Sequence, residues 1–472
     1  RPACGTMRSP RWLAGRAAAF VHAEVYMRIL RSLRVGGQFV YAPGLPFLER
    51  MLPRAQYTCT RVELAAHPAV RAAQGSPIAE RPSAVARRAS ASHASPSAAS
   101  TSAKTPTPRT GASTAAASAG GRAVRRLDHK PPTPGNTLNL SIDIKLQALV
   151  ERLFGERRGA LVAIDPRNGE VLAFVSKPTF DPNLFVDGID SESWKELNES
   201  IDKPLLNRAL RGTYPPGSTF KPLMAMAALN SGKRAPGTVI MDNLTYSFGG
   251  RTFGSPETDR PGPKDMRLAI VSSSNVYFYS LANEMGVDLI HDQLEPFGFG
   301  RKTGIDLEGE VTGVLPSTEW KRRTYKRPEQ KKWYPGETVS LGIGQGYNNF
   351  TMTQLATAMA TLSTGGQRFQ PRLVREVEDL VSHEKRIVSS DALPPLPLKP
   401  QDVALVLDAM AGVAQAGTSS RVFAGATYTS GGKTGTAQAV TMRGNEKYSA
   451  SRVAEHQRDH SLYIAFAPRE NP

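Results

Sequence analysis

Ser218-Thr219-Phe220-Lys221 opens the stretch that decides the fold, and an uncharged run from Pro222 to Leu229 follows it directly. Such a run is apolar on every side of a helix, which predicts a helix buried in the interior. Two further polar motifs, Ser273-Ser274-Asn275 and Lys433-Thr434-Gly435-Thr436, begin 55 and 215 residues after Ser218. Any one motif can arise by chance. The ordered set of three predicts a serine nucleophile whose partners come from distant parts of the chain.

The first motif has the spacing of a nucleophile and its base. Pro215-Pro216-Gly217 ends the preceding structure and leaves Ser218 in the first helical turn, where unpaired backbone N–H groups favour a developing oxyanion. Lys221 lies three residues on, on the same helical face, and can act as a general base when its amine is neutral. Burial of the helix lowers a lysine pKa. An isolated motif of this type is more often a capping serine with a solvated lysine, and the two later motifs favour catalysis.

The second motif lies between an apolar helical stretch, Met266 to Val271, and the aromatic-rich segment Val276 to Met285. This pattern predicts a tight loop between two helices, with alternate residues facing one cleft. A hydroxyl at Ser273 can relay a proton to a leaving amine, and the Asn275 amide can hold a substrate peptide group. Taken alone, the motif is equally typical of an asparagine at a helix N-cap.

The third motif predicts the start of a strand at the edge of a cleft. Gly435 would let a substrate backbone approach, Lys433 and the two hydroxyls would bind a carboxylate, and the Thr436 N–H would complete an oxyanion hole. A phosphate-binding loop is the obvious rival. That loop needs a glycine where this chain has Thr427, so the rival is excluded.

Charge divides the 472 residues into two unequal parts. Residues 1–135 hold 20 Lys and Arg against 5 Asp and Glu, whereas residues 136–472 hold 39 against 37. In residues 81–120, 31 of 40 positions are Ala, Ser, Thr or Pro, which predicts a disordered basic linker over residues 66–126. Both cysteines, Cys4 and Cys59, precede this boundary, so the C-terminal part has no thiol nucleophile. We expect no nucleic-acid module, and no membrane anchor or signal peptide is visible.

The C-terminal part has the pattern of a globular α/β (α+β) domain. A helix is predicted where four apolar residues share one face and Gly155 follows: Leu146, Leu149, Val150 and Leu153. Strands are predicted over residues 159–164 and 171–176, joined by a hairpin turn, and again over 437–441 and 461–467. The intervening chain is mainly helix and loop. We therefore expect an antiparallel sheet flanked by helices.

From about residue 127 to Pro472, the chain resembles the transpeptidase region of class B penicillin-binding proteins, and specifically the elongation-type penicillin-binding protein 2. Besides the three motifs, the similar segments are Pro131 to Asn136, Gly159 to Asp165, Gly212 to Gly217, Trp333 to Gly346, and Asp459-His460. Residues 1–65 weakly resemble the end of a class I methyltransferase, on a helix, a Gly36-Gly37 turn and a strand. We assign that fragment no activity.

The resemblance implies a role for each matching residue. Ser218 would be the nucleophile, Lys221 its base, and Ser273 and Asn275 would serve proton transfer and substrate holding. The substrate side would be formed by the third motif, Lys433, Thr434, Gly435 and Thr436. The substrates would be peptidoglycan stem peptides, with β-lactams as inhibitors and a membrane glycosyltransferase of the elongation machinery as partner, on the periplasmic face of the inner membrane.

The chain also departs from the pattern of this family. Its transpeptidase domain, residues 127–472, is expected to lack the last strand and helix. The linker and the methyltransferase-like piece are expected to stand in place of most of the family's N-terminal membrane helix and non-catalytic domain. No cofactor is expected. Some relatives bind zinc near the second motif through Asp, His and Cys, but Pro261 and Ser274 stand where the His and Cys would be. We therefore expect no metal.

Two alternatives stay open from the sequence. A serine β-lactamase or D,D-carboxypeptidase shares the motif types, although no deacylating carboxylate is identifiable by motif. A non-catalytic, truncated or chimaeric remnant that still binds penicillin or peptide is the alternative from a different class.

Overall fold

The computed structural model describes residues 113–117, 123–129, 135–186, 188–255, 259–390, 392–437 and 458–472. The methyltransferase-like piece, residues 1–65, lies outside the described residues. Strands β1 (Ser113–Ala117) and β2 (Ala123–His129) pair antiparallel, so they overlap the C-terminal end of the predicted linker. The rest of the linker is outside the described range, and the division into three segments stays a prediction.

The globular part begins with β3 (Thr137–Leu140), α1 (Ile144–Phe154), β4 (Gly159–Ile164) and β5 (Val171–Lys177). Asp143 caps α1 by accepting the Lys145 and Leu146 N–H groups, and Gly155, with a φ of 55°, follows the last helical residue. The predicted helix and the predicted β4–β5 hairpin are therefore confirmed. The apolar face of α1 packs on β5.

A mainly helical middle follows, and most of its strands are short. The helices are α2 (Ser191–Glu199), α3 (Lys221–Asn230), α4 (Met266–Ser272), α5 (Asn275–Met285), α6 (Val287–Leu294), α7 (Thr318–Thr324), α8 (Pro328–Lys331), α9 (Pro335–Leu341), α10 (Met352–Ser363), α11 (Pro400–Gln415) and α12 (Ser420–Phe423). Single 3-10 turns occur at Pro182–Phe185, Gly217–Phe220 and Glu295–Phe297.

The strands of this middle part form small antiparallel pairs. They are β6 (Thr213–Tyr214), β7 (Ile240–Asp242), β8 (Thr245–Phe248), β9 (Arg251–Gly254), β10 (Gly262–Lys264), β11 (Phe350–Thr351), β12 (Arg368–Phe369), β13 (Val374–Glu378), β14 (Lys385–Ile387) and β15 (Ala392–Leu393). The pairs are β6 with β11, β7 with β10, β8 with β9, and β12 with β15, while β13 lies between β3 and β14.

Helix α3 is the centre of the core. Its residues from Lys221 to Leu229 are all buried, as the uncharged run predicts. Helices α4, α5, α6, α10 and α11 pack around it. Phe220, immediately before α3, stacks on Phe350 and meets Phe299 edge-on, so the turn that carries Ser218 is fixed to the core on one side.

The last hairpin consists of β16 (Gly431–Ala437) and β17 (His460–Phe466), in register from Gly431 opposite Phe466 to Ala437 opposite His460. The third motif lies inside β16, as its predicted place at the start of a strand requires, although β16 begins two residues earlier. Of the strand predicted over 437–441, Ala437 ends β16, and residues 438–441 are outside the described range. The glycines at 431, 432 and 435 weaken the sequence signal for this strand, because glycine has a low strand propensity. The strand predicted over 461–467 is confirmed, shifted by one residue.

The described strands thus give a mixed α/β fold built of separate antiparallel pairs and one three-stranded sheet, and β4–β5 and β16–β17 are not hydrogen-bonded to each other. Helix α10 packs against both β4 and β17. Within the described ranges, no helix has the length and apolar character needed to cross a membrane.

Candidate active site

Ser218 lies in the 3-10 turn Gly217–Phe220, which continues directly into α3. The turn depends on Gly217, whose φ is +54° and whose N–H donates to the Gly344 carbonyl at 3.0 Å. A Cβ at this position would lie 2.5 Å from the Thr436 carbonyl oxygen, so only glycine fits. The Ser218 side chain is half-buried among buried neighbours. The nucleophile candidate therefore sits where strand β16 meets the start of the central helix.

Lys221, the first residue of α3, is fully buried. Its Nζ donates to the Ser273 carbonyl at 2.6 Å, to Ser273 Oγ at 3.2 Å and to Asn275 Oδ1 at 2.8 Å. Burial of the amine, and next the charge of Lys433, hold the pKa of Lys221 well below its ordinary value. A lysine in this state can supply the neutral amine that a general base needs.

The second motif forms the predicted tight connection between two helices. Ser273 ends α4 in the left-handed conformation, with φ 62° and ψ 38°, and Ser274 caps α5 by accepting the Tyr277 N–H. Asn275 is buried; its amide nitrogen lies 3.3 Å from the Gly254 carbonyl oxygen and 3.4 Å from the Tyr279 hydroxyl. Both ends of the Asn275 side chain thus have partners inside the protein, with the oxygen on Lys221.

Lys433, on β16, connects the third motif to the Ser273 hydroxyl, which also contacts Lys221. It is completely buried, and its Nζ donates to Ser273 Oγ at 2.9 Å and to the Thr434 carbonyl at 3.0 Å. Burial lowers the pKa of Lys433 to about 7. The Ser273 hydroxyl therefore lies between two lysine amines that come from chain positions 212 residues apart. Such a hydroxyl can pass a proton in either direction.

The remaining residues of the third motif lie along β16. Thr434 is half-buried and its hydroxyl is 2.6 Å from that of Thr418, while Thr436 is exposed. A Cβ on Gly435 would lie 2.7 Å from Thr219 Cγ2 and 3.0 Å from the Pro216 carbonyl oxygen. The close approach at Gly435 is therefore between β16 and the serine turn. A role of this glycine toward substrate stays a prediction.

Sequence reasoning missed two groups at this site. The glycine-spaced segment after α9 was given no role of its own, yet Gly344 accepts the Gly217 N–H and the Gln345 amide donates to the Thr436 carbonyl at 3.1 Å. Ser274, Asp242, Asp259 and Lys264 form a second, buried group beside the 273–275 loop. The presence of Trp333 to Gly346 among the family-like segments was the available signal for the first. For the second, the comparison of Ser274 with a zinc-ligand position of relatives was a signal, but nothing in the sequence indicated Lys264.

The donor set near the second motif does not suit zinc. Ser274 donates to Asp242, and the Lys264 ammonium contacts both nearby carboxylates, Asp242 and Asp259. No group of three or more His, Cys, Asp or Glu side chains is placed to hold a metal ion within the described part of the chain. The expectation of no metal stays a prediction.

The site has the arrangement typical of penicillin-reactive serine acyltransferases. A serine begins a buried helix, a buried lysine follows one turn later, and a second serine is hydrogen-bonded to a second lysine. Residues 159–472 match the family described as the penicillin binding protein transpeptidase domain. The chain belongs to this family. The fold is accordingly the mixed α/β transpeptidase fold of penicillin-binding proteins.

Three relatives illustrate the similarity. The chain is 40% identical over 364 residues to the peptidoglycan D,D-transpeptidase MrdA of Acinetobacter baumannii, covering 77% of this chain and 53% of the relative. It is similar to Pseudomonas aeruginosa PBP2 in the crystal structure with WCK 5153, with 40% sequence identity and a TM-score of 0.63. The match covers 72% of this chain and 70% of the PBP2 chain. It is 28% identical to PBP2 in the complex with MreC from Helicobacter pylori, with a TM-score of 0.62 and coverage of 77% and 63%. The chain spans about half the length of the curated relatives it matches.

Proposed function

We propose that the chain is a serine-type peptidoglycan D,D-transpeptidase of the elongation type, which crosslinks stem peptides through an acyl-enzyme on Ser218. The observation that carries this proposal is the Ser273 hydroxyl held between the Lys221 and Lys433 amines beside the serine turn. The similarity to MrdA and PBP2 relatives supports the same activity. The assignment of individual roles below belongs to the proposal.

In the acylation half, neutral Lys221 takes the proton from Ser218 Oγ as this oxygen attacks the carbonyl between the two terminal D-alanines. The backbone N–H groups of Ser218 and Thr436 stabilise the oxyanion. The proton then passes through the Ser273 hydroxyl to the leaving nitrogen, so the C–N bond breaks and free D-alanine departs. Lys433 and Thr434 bind the carboxylate of the substrate, which places its last peptide bond over Ser218.

In the second half, the amine of a neighbouring stem peptide attacks the ester carbonyl. Its proton returns to the Ser218 oxygen along the same path, and the new amide is the crosslink. A β-lactam enters the first half only: its ring amide opens on Ser218, and the departing nitrogen stays attached to the adduct. A carboxypeptidase differs only in using water as the acceptor, and a β-lactamase in releasing the β-lactam adduct quickly.

The experiment that tests the proposal separates these outcomes. The chain is incubated with a labelled stem pentapeptide and a tenfold excess of an acceptor peptide, and released D-alanine and crosslinked dimer are both quantified. Crosslinked product that is lost in Ser218→Ala supports a transpeptidase. D-alanine release without dimer supports a carboxypeptidase, rapid nitrocefin turnover supports a β-lactamase, and a folded chain with none of these contradicts acyl transfer.

Partners and location follow the same proposal. The H. pylori relative is in complex with MreC, and we propose an MreC-like scaffold and a membrane glycosyltransferase as partners of this chain at the periplasmic face of the inner membrane. Co-purification of tagged MreC with the chain from detergent extracts tests the first partner. The same extraction with an unrelated periplasmic enzyme is the control, and equal recovery in both contradicts the proposal.

The fold-level part of the proposal is that β4–β5 and β16–β17 belong to one antiparallel sheet over α10, with a strand position between them that the described residues leave unfilled. Helix α10 packs against β4 and β17, and β17 pairs with no described strand other than β16. Hydrogen exchange tests this proposal. Backbone amides on the unpaired edges of β4 and β17, which face the unfilled position, should exchange faster than amides bonded within the β4–β5 and β16–β17 pairs. Equal protection on both edges contradicts it.

A further inference from the structure

Three ionisable side chains are buried together next to the 273–275 loop. Lys264 on β10 has its Nζ 3.1 Å from Asp242 Oδ2 on β7, and it also contacts Asp259 Oδ1. Each of the three side chains is at most 4% exposed. We call Asp242, Asp259 and Lys264 the Lys264 cluster. With two carboxylates and one ammonium, it carries one net negative charge.

The Lys264 cluster is connected to the loop by a hydrogen bond. The Ser274 hydroxyl donates to Asp242 Oδ2 and accepts the Tyr277 N–H, so one hydroxyl ties the cluster to the first turn of α5. The two residues that flank Ser274 supply every acceptor described above for the Lys221 amine. A displacement of Ser274 therefore moves the acceptors of Lys221 as well.

The cluster is not explained by stability alone. A buried ion pair is replaced by apolar residues of similar volume with little loss of stability, and often with a gain, because charges are costly to desolvate. Burial alone would raise the pKa of Asp242, but hydrogen bonds from Ser274, the Leu244 N–H and Lys264 hold it below its ordinary value. Lys264 therefore acts with Ser274 and the Leu244 N–H, which contribute more, in favouring the ionised form of Asp242, and an ionised carboxylate is the stronger acceptor for Ser274.

We propose that Lys264 is a positioning residue of the reaction centre: with Asp259, it holds Asp242 against Ser274 and so fixes the turn that brings Ser273 and Asn275 to the Lys221 amine. The ammonium supplies from within the chain the positive charge that two buried carboxylates require. The inference rests on the proposed acyl-transfer function only for its kinetic test.

The cluster also acts on Lys221 through space. The charged groups that influence this amine are Lys433 on β16 and the three members of the cluster. Asp259 and Asp242 favour the protonated amine, while Lys264 and Lys433 oppose it. Removing the charge of Asp259 makes the cluster neutral without leaving Lys264 unpaired, because the contact with Asp242 remains. The pKa of Lys221 should then fall.

The test measures the second-order rate constant of acylation by a fluorescent penicillin, per folded molecule, as a function of pH. Lys264→Met should slow acylation between about tenfold and a hundredfold, the loss typical of misplaced reacting groups, and Lys264→Arg should recover most of the rate. Asp259→Asn should lower the midpoint of the acidic limb of the pH–rate profile, which reports the Lys221 titration, by about one pH unit. This is the effect of a unit charge over roughly 10 Å at a dielectric constant near 20. Glu192→Gln, an exposed carboxylate on α2, is the matched control and should change neither quantity.

Parental rate and midpoint in folded Lys264→Met and Asp259→Asn would overturn the inference. If Lys264→Met does not fold, Ser274→Ala decides: a comparable loss of rate supports the inference, and parental acylation contradicts it. If the parent is not acylated at all, the proposed function fails, and the inference is then read from the Lys221 titration by NMR of 13Cε-labelled lysine. A lower Lys221 pKa in Asp259→Asn supports it, and an unchanged titration overturns it.

Discussion

Gly435→Ala tests how closely strand β16 must approach the turn that carries Ser218. The added Cβ would lie 2.7 Å from Thr219 Cγ2 and 3.0 Å from both the Pro216 carbonyl oxygen and the Thr219 nitrogen. Relaxing the first contact to an ordinary carbon–carbon distance of about 3.5 Å requires a separation of about 0.8 Å. Overpacking of this kind costs about 1–3 kcal/mol. A displacement near 1 Å between reacting groups reduces a rate up to about a hundredfold.

The assay is the second-order rate constant of acylation by a fluorescent penicillin, measured alongside the Tm. Gly435→Ala should slow acylation by roughly thirtyfold to a hundredfold while the protein still unfolds cooperatively. Adding Thr219→Ser removes the methyl group that lies nearest and retains the hydroxyl that donates to Pro216, so part of the rate should return. Gly237→Ala, whose Cβ would meet nothing within 4 Å, is the control. If Gly435→Ala keeps the acylation rate and Tm of the unmodified chain, close approach of β16 to the serine turn is not required.

Three further predictions concern the two lysines, the hydroxyl between them and a structural cation. The acylation rate should rise with pH as Lys221 loses its proton, and it should fall above about pH 7 as Lys433 loses the charge that binds the carboxylate. A stopped-flow pH–rate profile checks both limbs, and Lys433→Arg should remove the fall at alkaline pH. A flat profile between about pH 6 and 9 contradicts the prediction. Ser273→Ala should slow acylation about 10²- to 10⁴-fold at unchanged Tm, by analogy with the loss of a proton-transfer group, and parental kinetics would exclude that role. Lys321→Met should reduce the free energy of unfolding, measured by urea denaturation, by about 1–3 kcal/mol. The buried Lys321 ammonium binds both Glu337 carboxylate oxygens at 2.5 Å and lies 5.3–5.4 Å from three aromatic ring centroids. A change below about 0.5 kcal/mol would contradict this prediction.

The sequence was informative wherever local patterns decide the structure. The uncharged run after Lys221 predicted a helix buried on all sides, and the capped periodic segment ending before Gly155 predicted α1. Proline and the Asn-Gly pair between two apolar runs predicted the β4–β5 hairpin. The loop between α4 and α5 followed from a change in composition. Each of these features depends on neighbours within about ten residues.

Contacts between distant segments could not be predicted in this way. The Lys264 cluster joins β7, β10 and the loop residue Ser274 across 32 residues, and no periodicity indicates which charges become buried. Gly435 looked suited to an approaching substrate, but only the fold reveals that Thr219 lies against it. The third motif was predicted to start a strand, but β16 begins two residues earlier, at Gly431. Glycine has low strand propensity, and the pairing of β16 with β17 overrides that preference.

In the proposed reaction, Ser218 is the residue that becomes acylated, with Lys221 as its general base. The most direct measurement is the intact mass of the chain after incubation with benzylpenicillin, with peptide mapping of the adduct, for the parent and for Ser218→Ala. We expect a gain of one penicillin on the parent, located on the peptide that contains Ser218, and no gain on the variant. An adduct that persists in Ser218→Ala, or a folded parent that gains no mass, would contradict it.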